Sequence, residues 1–419
     1  MLDVSILSIG DELCIGQIIN SNAAWIAEQI TALGANVVKH CAVGDDEFAI
    51  KRELKNLSDT SEFIVITGGL GPTHDDITKP VLLDYFDDTL ILDKSVEGNI
   101  LALLEKRGLK PTELIMQMAM LPKSCKSLHN AVGTAPGMLF ERNGKYFVSM
   151  PGVPNEMKYI MNNSVLPLIE SIIKRNNEDV LLFKTLQTSA VPESLLAEKI
   201  GDVSSFLDQT GSLAFLPSYQ GVRLRIGVEA NNFEQAQNKI EKIESYIRHR
   251  VNEHIVADSD IPLSSVIGEL LMANNKTVAV AESCTGGLLG AEFTNIPGSS
   301  KYFLGGVIAY SNDIKESILN VNHQTLMEYG AVSRETAEEM ATNVRNLLGS
   351  DYGISITGIA GPGGGSPEKP VGTVWIGVSS VALTVAHRFT FGTARDINRQ
   401  RAVGGALNLL YQRIKSEIK

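Results

Sequence analysis

A serine placed where a buried strand turns into a helix is the residue of this chain best positioned for covalent chemistry. Lys276-Thr277-Val278-Ala279-Val280-Ala281-Glu282 has the near-continuous apolar character of a strand covered on both faces, ends in Ser283-Cys284-Thr285-Gly286-Gly287, and resumes as a helix from Leu288. Such a turn presents a side chain at the C-terminal edge of a sheet while the first helical N–H groups point at whatever binds there, which suits an oxyanion. The plainer alternative is that Ser283 only caps the helix. A serine hydroxyl needs a base, yet the chain has no G-x-S-x-G elbow, and none of its seven histidines is an obvious partner. The next strand, Gly305-Gly306-Val307-Ile308-Ala309, ends in Tyr310-Ser311-Asn312, with Lys315 one turn later. A lysine whose pKa is lowered by burial can take the proton, and a tyrosine can relay or orient it. Taken singly, each reads more simply as an interface ring or a solvated cation. A third strand runs into Thr357-Gly358-Ile359-Ala360-Gly361-Pro362-Gly363-Gly364-Gly365, which alone could be only a mobile connection. The argument rests on convergence, because three strands deliver polar or glycine-rich turns to one sheet edge, where open α/β sheets bind ligands.

A second constellation lies near the start. Gly68-Gly69-Leu70-Gly71-Pro72-Thr73-His74-Asp75-Asp76-Ile77-Thr78 follows an apolar strand, and a helix is expected from about Asp76. Close glycines let backbone N–H groups approach a phosphate, and adjacent acids can hold a divalent cation through oxygen. No Gly-Lys-Ser/Thr follows, so this is not a P-loop. Alone, Asp75-Asp76 could be a helix cap and a favourable first-turn charge. Gly10-Asp11-Glu12 and Pro151-Gly152-Val153-Pro154-Asn155-Glu156 also place acids at strand ends, where they could face Asp75 and Asp76.

The elements that must position these groups alternate. Strands over 4–9, 36–43 and 63–67 and helices over 22–33 and 47–57 have the pattern of βαβ units around a parallel sheet, followed by a strand over 146–150 and a helix to about 173. A polar linker over 174–179 precedes a small α+β unit, with strands over 181–188 and 222–229 and helices over 192–200 and 233–251. After a turn at 259–262 come strands over 277–281, 307–310, 354–357 and 373–378 separated by helical segments. The reading is an α/β protein of three domains, 1–174, 175–260 and 261–419, in keeping with the two or three domains expected of 419 residues.

Lys+Arg 37 against Asp+Glu 48 gives a net charge of -11, so nothing attracts polyanions such as nucleic acids or anionic membranes at long range, and small molecules are the expected partners. No apolar run reaches membrane-spanning length and the first residues lack a basic segment, so a cytoplasmic protein is expected. Four cysteines, Cys14, Cys41, Cys125 and Cys284, lie far apart and read as reduced thiols.

The C-terminal motifs Ala281-Glu282-Ser283-Cys284-Thr285-Gly286-Gly287, Tyr310-Ser311-Asn312 with Lys315, and Thr357-Gly358-Ile359-Ala360-Gly361-Pro362 resemble the C-terminal domain of the CinA family. That resemblance implies a nicotinamide mononucleotide deamidase, releasing nicotinate mononucleotide and ammonia, with Ser283 as nucleophile, Lys315 and Tyr310 as helpers and no metal. Thr357 matches a catalytic-site position, and Thr285, Gly286, Gly287 and Gly358 match positions near the substrate. Arg395 and Arg399 lie in a matching terminal helix that would hold the phosphate. The N-terminal set resembles the molybdopterin-binding, MoaB/MogA-like three-layer αβα domain of full-length CinA proteins. This implies ADP-ribose pyrophosphatase activity, giving AMP and ribose 5-phosphate, with Gly68, Gly69, Gly71, Thr73 and Thr78 on the substrate and Asp11, Asp75, Asp76 and Glu156 on a divalent metal (Mg, Mn or Co). The middle unit corresponds to a KH-like region, but Gly201-Asp202-Val203-Ser204 and Gly211-Ser212-Leu213-Ala214 lack the G-x-x-G loop that clamps nucleic acid. A bifunctional pyridine-nucleotide salvage enzyme, assembled as a homodimer, is the leading expectation. A competence-associated adapter and a pterin-binding N-terminal module without hydrolysis are the alternatives.

Overall fold

Apolar runs without interruption become the central strands, since only a strand covered on both faces leaves no position for a polar residue. The computed structural model describes residues 1–176, 179–189 and 191–418. The chain divides into two units, one of residues 1–183, 208–211 and 227–242, the other of residues 184–207, 212–226 and 243–419. The N-terminal strands are β1 (Asp3–Ile9), β2 (Asn36–Val43), β3 (Phe63–Thr67), β4 (Leu90–Leu92), β5 (Met120–Pro122), β6 (Lys126–Leu128), β7 (Gly137–Arg142) and β8 (Lys145–Met150). Six of them form one sheet in the order β2-β1-β3-β8-β7-β6, while β4 and β5 pair separately. All five residues of β3 are buried, and Ile50, Leu54 and Leu57 of helix Glu47–Thr60 pack into the same core.

Next come β9 (Val180–Thr188), β10 (Gly211–Pro217), β11 (Val222–Ala230) and β12 (Ile255–Ala257), a four-stranded sheet in the order β10-β11-β9-β12. The linker expected over 174–179 lies partly outside the described residues, and its first three positions continue helix Leu166–Asn176. The last sheet contains β13 (Val278–Glu282), β14 (Phe303–Ile308), β15 (Tyr352–Gly358), β16 (Thr373–Ser379) and β17 (Thr384–Thr390), in the order β14-β13-β15-β16-β17. One face of it meets the core of Leu263, Ile267, Leu289, Leu407 and Leu410, and Met340 and Val344 of helix Arg334–Leu348 pack against the strands in a separate core.

The βαβ alternation predicts a parallel sheet, yet neither large sheet is wholly parallel. β1 runs parallel to β2 and β3, and β3 to β8, but β8-β7 and β7-β6 are antiparallel. β13 is parallel to β14 and β15, but β15-β16 and β16-β17 are antiparallel. An apolar run carries no direction. What sets it is the connection, and residues 359–372 join β15 to β16 by loop without the helix a parallel crossover needs. The consequence for the site is that only β13, β14 and β15 end together, and they are neighbours. Among the described residues, no helix is long and apolar enough to cross a membrane.

Candidate active site

Ser283 leaves the end of β13 as a buried residue, 8% exposed. It does not cap the following helix, Leu288–Thr294, whose N-cap is Gly287 with a left-handed φ of 98°. Its Oγ instead receives the Lys315 Nζ at 3.1 Å. Lys315 lies in helix Asn312–Ser317, which begins where Ser311 caps the Ile314 N–H. That cap lies one turn before the lysine. The amine also donates to the Ala309 carbonyl at 2.7 Å, and the residue is 1% exposed. Neither partner carries a charge, so nothing repays the hydration an ammonium loses here, and burial holds the Lys315 pKa below the ordinary lysine range. In its neutral form the amine accepts from Ser283 Oγ–H across the same contact. The neighbouring Cys284 is the wrong nucleophile, because burial pushes its thiol up to about 11.

The cleft over this pair has a volume of about 290 Å³, and Tyr310, Thr357, Gly358 and Arg395 line it with Ser283 and Lys315. Tyr310 stands at its mouth, 62% exposed, with its hydroxyl receiving Arg395 Nη2 at 3.2 Å. No described contact joins that hydroxyl to Lys315. Arg395 Nη1 donates to the Gly361 carbonyl at 2.8 Å. Thr357 Oγ1 donates to the Ala331 carbonyl at 2.7 Å. At Gly358 an added Cβ would lie 2.7 Å from Val374 Cγ2. Arg399 is not part of the cleft lining and donates to the Thr285 carbonyl at 2.9 Å, while among the described residues the buried Thr285 Oγ1 has no hydrogen-bond partner.

Two residues escaped the sequence reading. Glu282, 1% exposed, accepts N–H bonds from Gly287 at 3.0 Å, Leu289 at 3.1 Å and Gly290 at 2.8 Å. The helical N–H groups expected to face an oxyanion are therefore spent on the protein's own carboxylate. Asn398, also 1% exposed, donates to the Ala360 and Gly392 carbonyls at 3.0 and 2.8 Å. With Arg395 and Arg399 it makes the first turn of helix Arg395–Glu417 a brace for the Ser283 and Gly361 turns. A buried acid closing a strand, and an asparagine between two arginines on an otherwise apolar face, are the signals that could have found them.

The N-terminal cleft is larger, about 470 Å³, and lies at the ends of β1, β3 and β8. Gly68, Gly69, Gly71, Asp75, Asp76 and Glu156 of the expected set line it, together with Glu12 and Asp45, while Asp11, Thr73 and Thr78 do not. Gly68 is required by close approach, since a Cβ would lie 2.1 Å from the Ile9 carbonyl oxygen. Thr78 holds the glycine loop, its Oγ1 donating to the Gly68 carbonyl at 2.9 Å. Asp76 accepts the N–H groups of Gly71 and Thr73 at 2.7 and 3.0 Å. Glu156 accepts Asn130 Nδ2 at 2.7 Å, and Asn130 in turn accepts the N–H groups of Val132 and Gly133. Asp11 and Asp45 accept each other's backbone N–H at 3.1 and 3.0 Å.

Burial is the largest cause raising the Asp45 carboxyl, with the charges of Asp11, Glu12 and Asp75 adding to it, against the N–H bond from Asp11. A hydrogen bond from Thr73 holds the Asp75 carboxyl below the usual range. Among the described residues, no three His, Cys, Asp or Glu side chains gather into a group that could hold an ion. The donor set thus lacks a ready-made cage.

Comparison with known proteins divides the chain in the same order. Residues 5–171 match a model described as "Probable molybdopterin binding domain", residues 183–257 the "Damage-inducible protein CinA KH domain", and residues 260–414 the "CinA C-terminal domain". A CinA-like protein of Salinibacter ruber is 40% identical over 407 residues, covering 97% of this chain and 98% of its own. One of Chloroherpeton thalassium is 40% identical over 413 residues, with 97% of both chains covered. A solved competence/damage inducible protein of Agrobacterium tumefaciens, 38% identical, overlays 36% of this chain and 92% of its own at a TM-score of 0.35.

Proposed function

The chain belongs to the CinA family, and from that premise we propose that its C-terminal site is a serine–lysine amidohydrolase that deamidates nicotinamide mononucleotide. The contact between the buried Lys315 amine and Ser283 Oγ carries the reading. The neutral amine takes the Ser283 proton as Oγ attacks the carboxamide carbon, forming a tetrahedral adduct. The resulting ammonium returns the proton to the nitrogen, the C–N bond breaks, and ammonia leaves an acyl-serine. A water molecule then gives its proton to the amine and attacks the acyl carbon. Nicotinate mononucleotide departs as Ser283 regains its proton. Arg395, at the cleft edge, is the candidate partner for the phosphate. An adapter would have no use for a lysine buried beside a hydroxyl with its pKa lowered by that burial, because burying it only costs stability.

The N-terminal cleft supports a second reading, hydrolysis of ADP-ribose to AMP and ribose 5-phosphate with a divalent cation. What supports it is the carboxylate-lined cleft beside a glycine loop. Asp75 and Asp45 would hold the cation, which would screen the phosphate charge and supply an activated water. Asp76 and Glu156 would keep the loops in shape. The test of both is direct: purified full-length protein should release ammonia from nicotinamide mononucleotide with or without a chelator, and AMP from ADP-ribose only without one. Absence of ammonia would sink the first reading. ADP-ribose bound but never cleaved, at any divalent metal, would leave the N-terminal region a binding module.

A further inference from the structure

Glu282 takes no part in the proton transfers above, yet its side chain sits between the nucleophile and the helix that follows it. Both carboxylate oxygens are used, Oε2 by Gly287 and Leu289 and Oε1 by Gly290. Its own carbonyl accepts the Ala309 N–H at 2.7 Å, and the Ala309 carbonyl is the second partner of Lys315 Nζ. One residue therefore reaches the base through a single intervening residue and the nucleophile through the adjoining peptide bond. The turn between them passes through two successive left-handed glycines, Gly286 at φ 62° and Gly287 at φ 98°, a conformation with little intrinsic preference to hold Ser283 in one place.

We propose that Glu282 is a positioning residue: by collecting the N–H groups of the turn after Ser283, it sets the Ser283 hydroxyl at hydrogen-bonding distance from Lys315. This rests on Ser283 being the nucleophile. A second consequence is that the N-terminus of helix Leu288–Thr294 offers those N–H groups to no substrate anion, since Glu282 already fills it.

The test uses the full chain and a fluorophosphonate probe, which reports an activated serine whether or not nicotinamide mononucleotide is the substrate. In Glu282→Gln, one oxygen becomes an NH₂ that cannot accept. Ser283 labelling and kcat should fall together by roughly tenfold or more, with KM within about twofold and thermal melting near the parent's. Glu282→Asp keeps the charge but is one methylene too short to serve both Gly287 and Gly290, and should fall between. Labelling at the parental rate in a folded Glu282→Gln would overturn the proposal, as would a change in KM matching that in kcat, which would mean contact with substrate. If Glu282→Gln does not fold, Glu282→Asp decides by the same measurements. A parent that labels at Ser283 but releases no ammonia would remove the deamidase reading and leave the positioning role standing on the labelling rates. A parent that does not label there would remove both.

Discussion

Lys315 and Ser283 meet inside the C-terminal cleft with no acid among the described residues bonded to either, whereas the N-terminal cleft is lined by Glu12, Asp45, Asp75, Asp76 and Glu156. The first region brings a hydroxyl and an amine into contact and lowers the amine's pKa by removing water. The second keeps like charges side by side, with Asp45 raised by burial and by its acidic neighbours. Yet both share a device: a carboxylate gathers backbone N–H groups of a glycine turn, Glu282 in one and Asp76 in the other. An acid in a glycine-rich turn is therefore not by itself a metal ligand, and what its oxygens already accept distinguishes the two roles.

The sharpest break between the regions should come from Ser283→Ala and Lys315→Ala. Each should lower ammonia release by about a thousandfold or more, and the double variant should be no worse, because the pair acts as a unit. Lys315→Arg should do no better, since a guanidinium stays protonated. ADP-ribose hydrolysis should be untouched in all of them. Near-parental ammonia release by Ser283→Ala would turn attention to Cys284. In the parent, the rate should drop tenfold per pH unit below the depressed lysine pKa, as the base becomes protonated.

A smaller effect separates the two N-terminal acids. Asp75→Asn should cut metal-dependent ADP-ribose hydrolysis by about tenfold to a hundredfold and weaken Mn²⁺ binding, read by titration, without lowering the melting temperature. Asp76→Ala should also lower activity, but by freeing Gly71 and Thr73. Removing an acceptor from two N–H groups costs about 1–3 kcal/mol, so this variant should melt earlier. Equal melting temperatures would dissolve the distinction.

Lys315→Met should abolish deamidation while leaving stability unchanged or raising it by about 1 kcal/mol, because a buried amine whose partners are a hydroxyl and a carbonyl is replaced by an apolar chain of similar length. The sign with pH follows. The folded pKa is below the unfolded one, so between them the unfolded chain binds the extra proton and parental stability rises with pH. Below that window the cost is constant. Denaturant midpoints measured across the window should slope in the parent and lose that increment in Lys315→Met. A clearly less stable variant would mean the amine's bonds to Ser283 and Ala309 outweigh its desolvation.

Least of all, Tyr310→Phe should cost about two- to fivefold in kcat/KM, since its hydroxyl meets Arg395 rather than Lys315. A loss as large as that of Lys315→Ala would place the tyrosine in the proton path.

Local order was legible in the sequence wherever the physics is local. Residues 36–43 and 63–67 read as strands and are strands; for 63–67 the reason is burial on both faces, which writes an unbroken apolar run into consecutive residues. Ser283 at a strand end and Lys315 one turn past another followed from the same patterns. Strand direction did not, since β16 and β17 return antiparallel through loops rather than helices. Nor did the partners of the charged groups. Ser283 and Lys315 are 32 residues apart, and Arg399 and Thr285 114. Whether an amine is dry or an acid already committed depends on groups that only the folded chain brings within 3 Å. The types of residue available for chemistry were thus determined by the sequence. Which carboxylate shapes a turn, and which lysine loses its water, was decided by the tertiary structure, because hydration and hydrogen bonding are properties of surroundings assembled from distant parts of the chain.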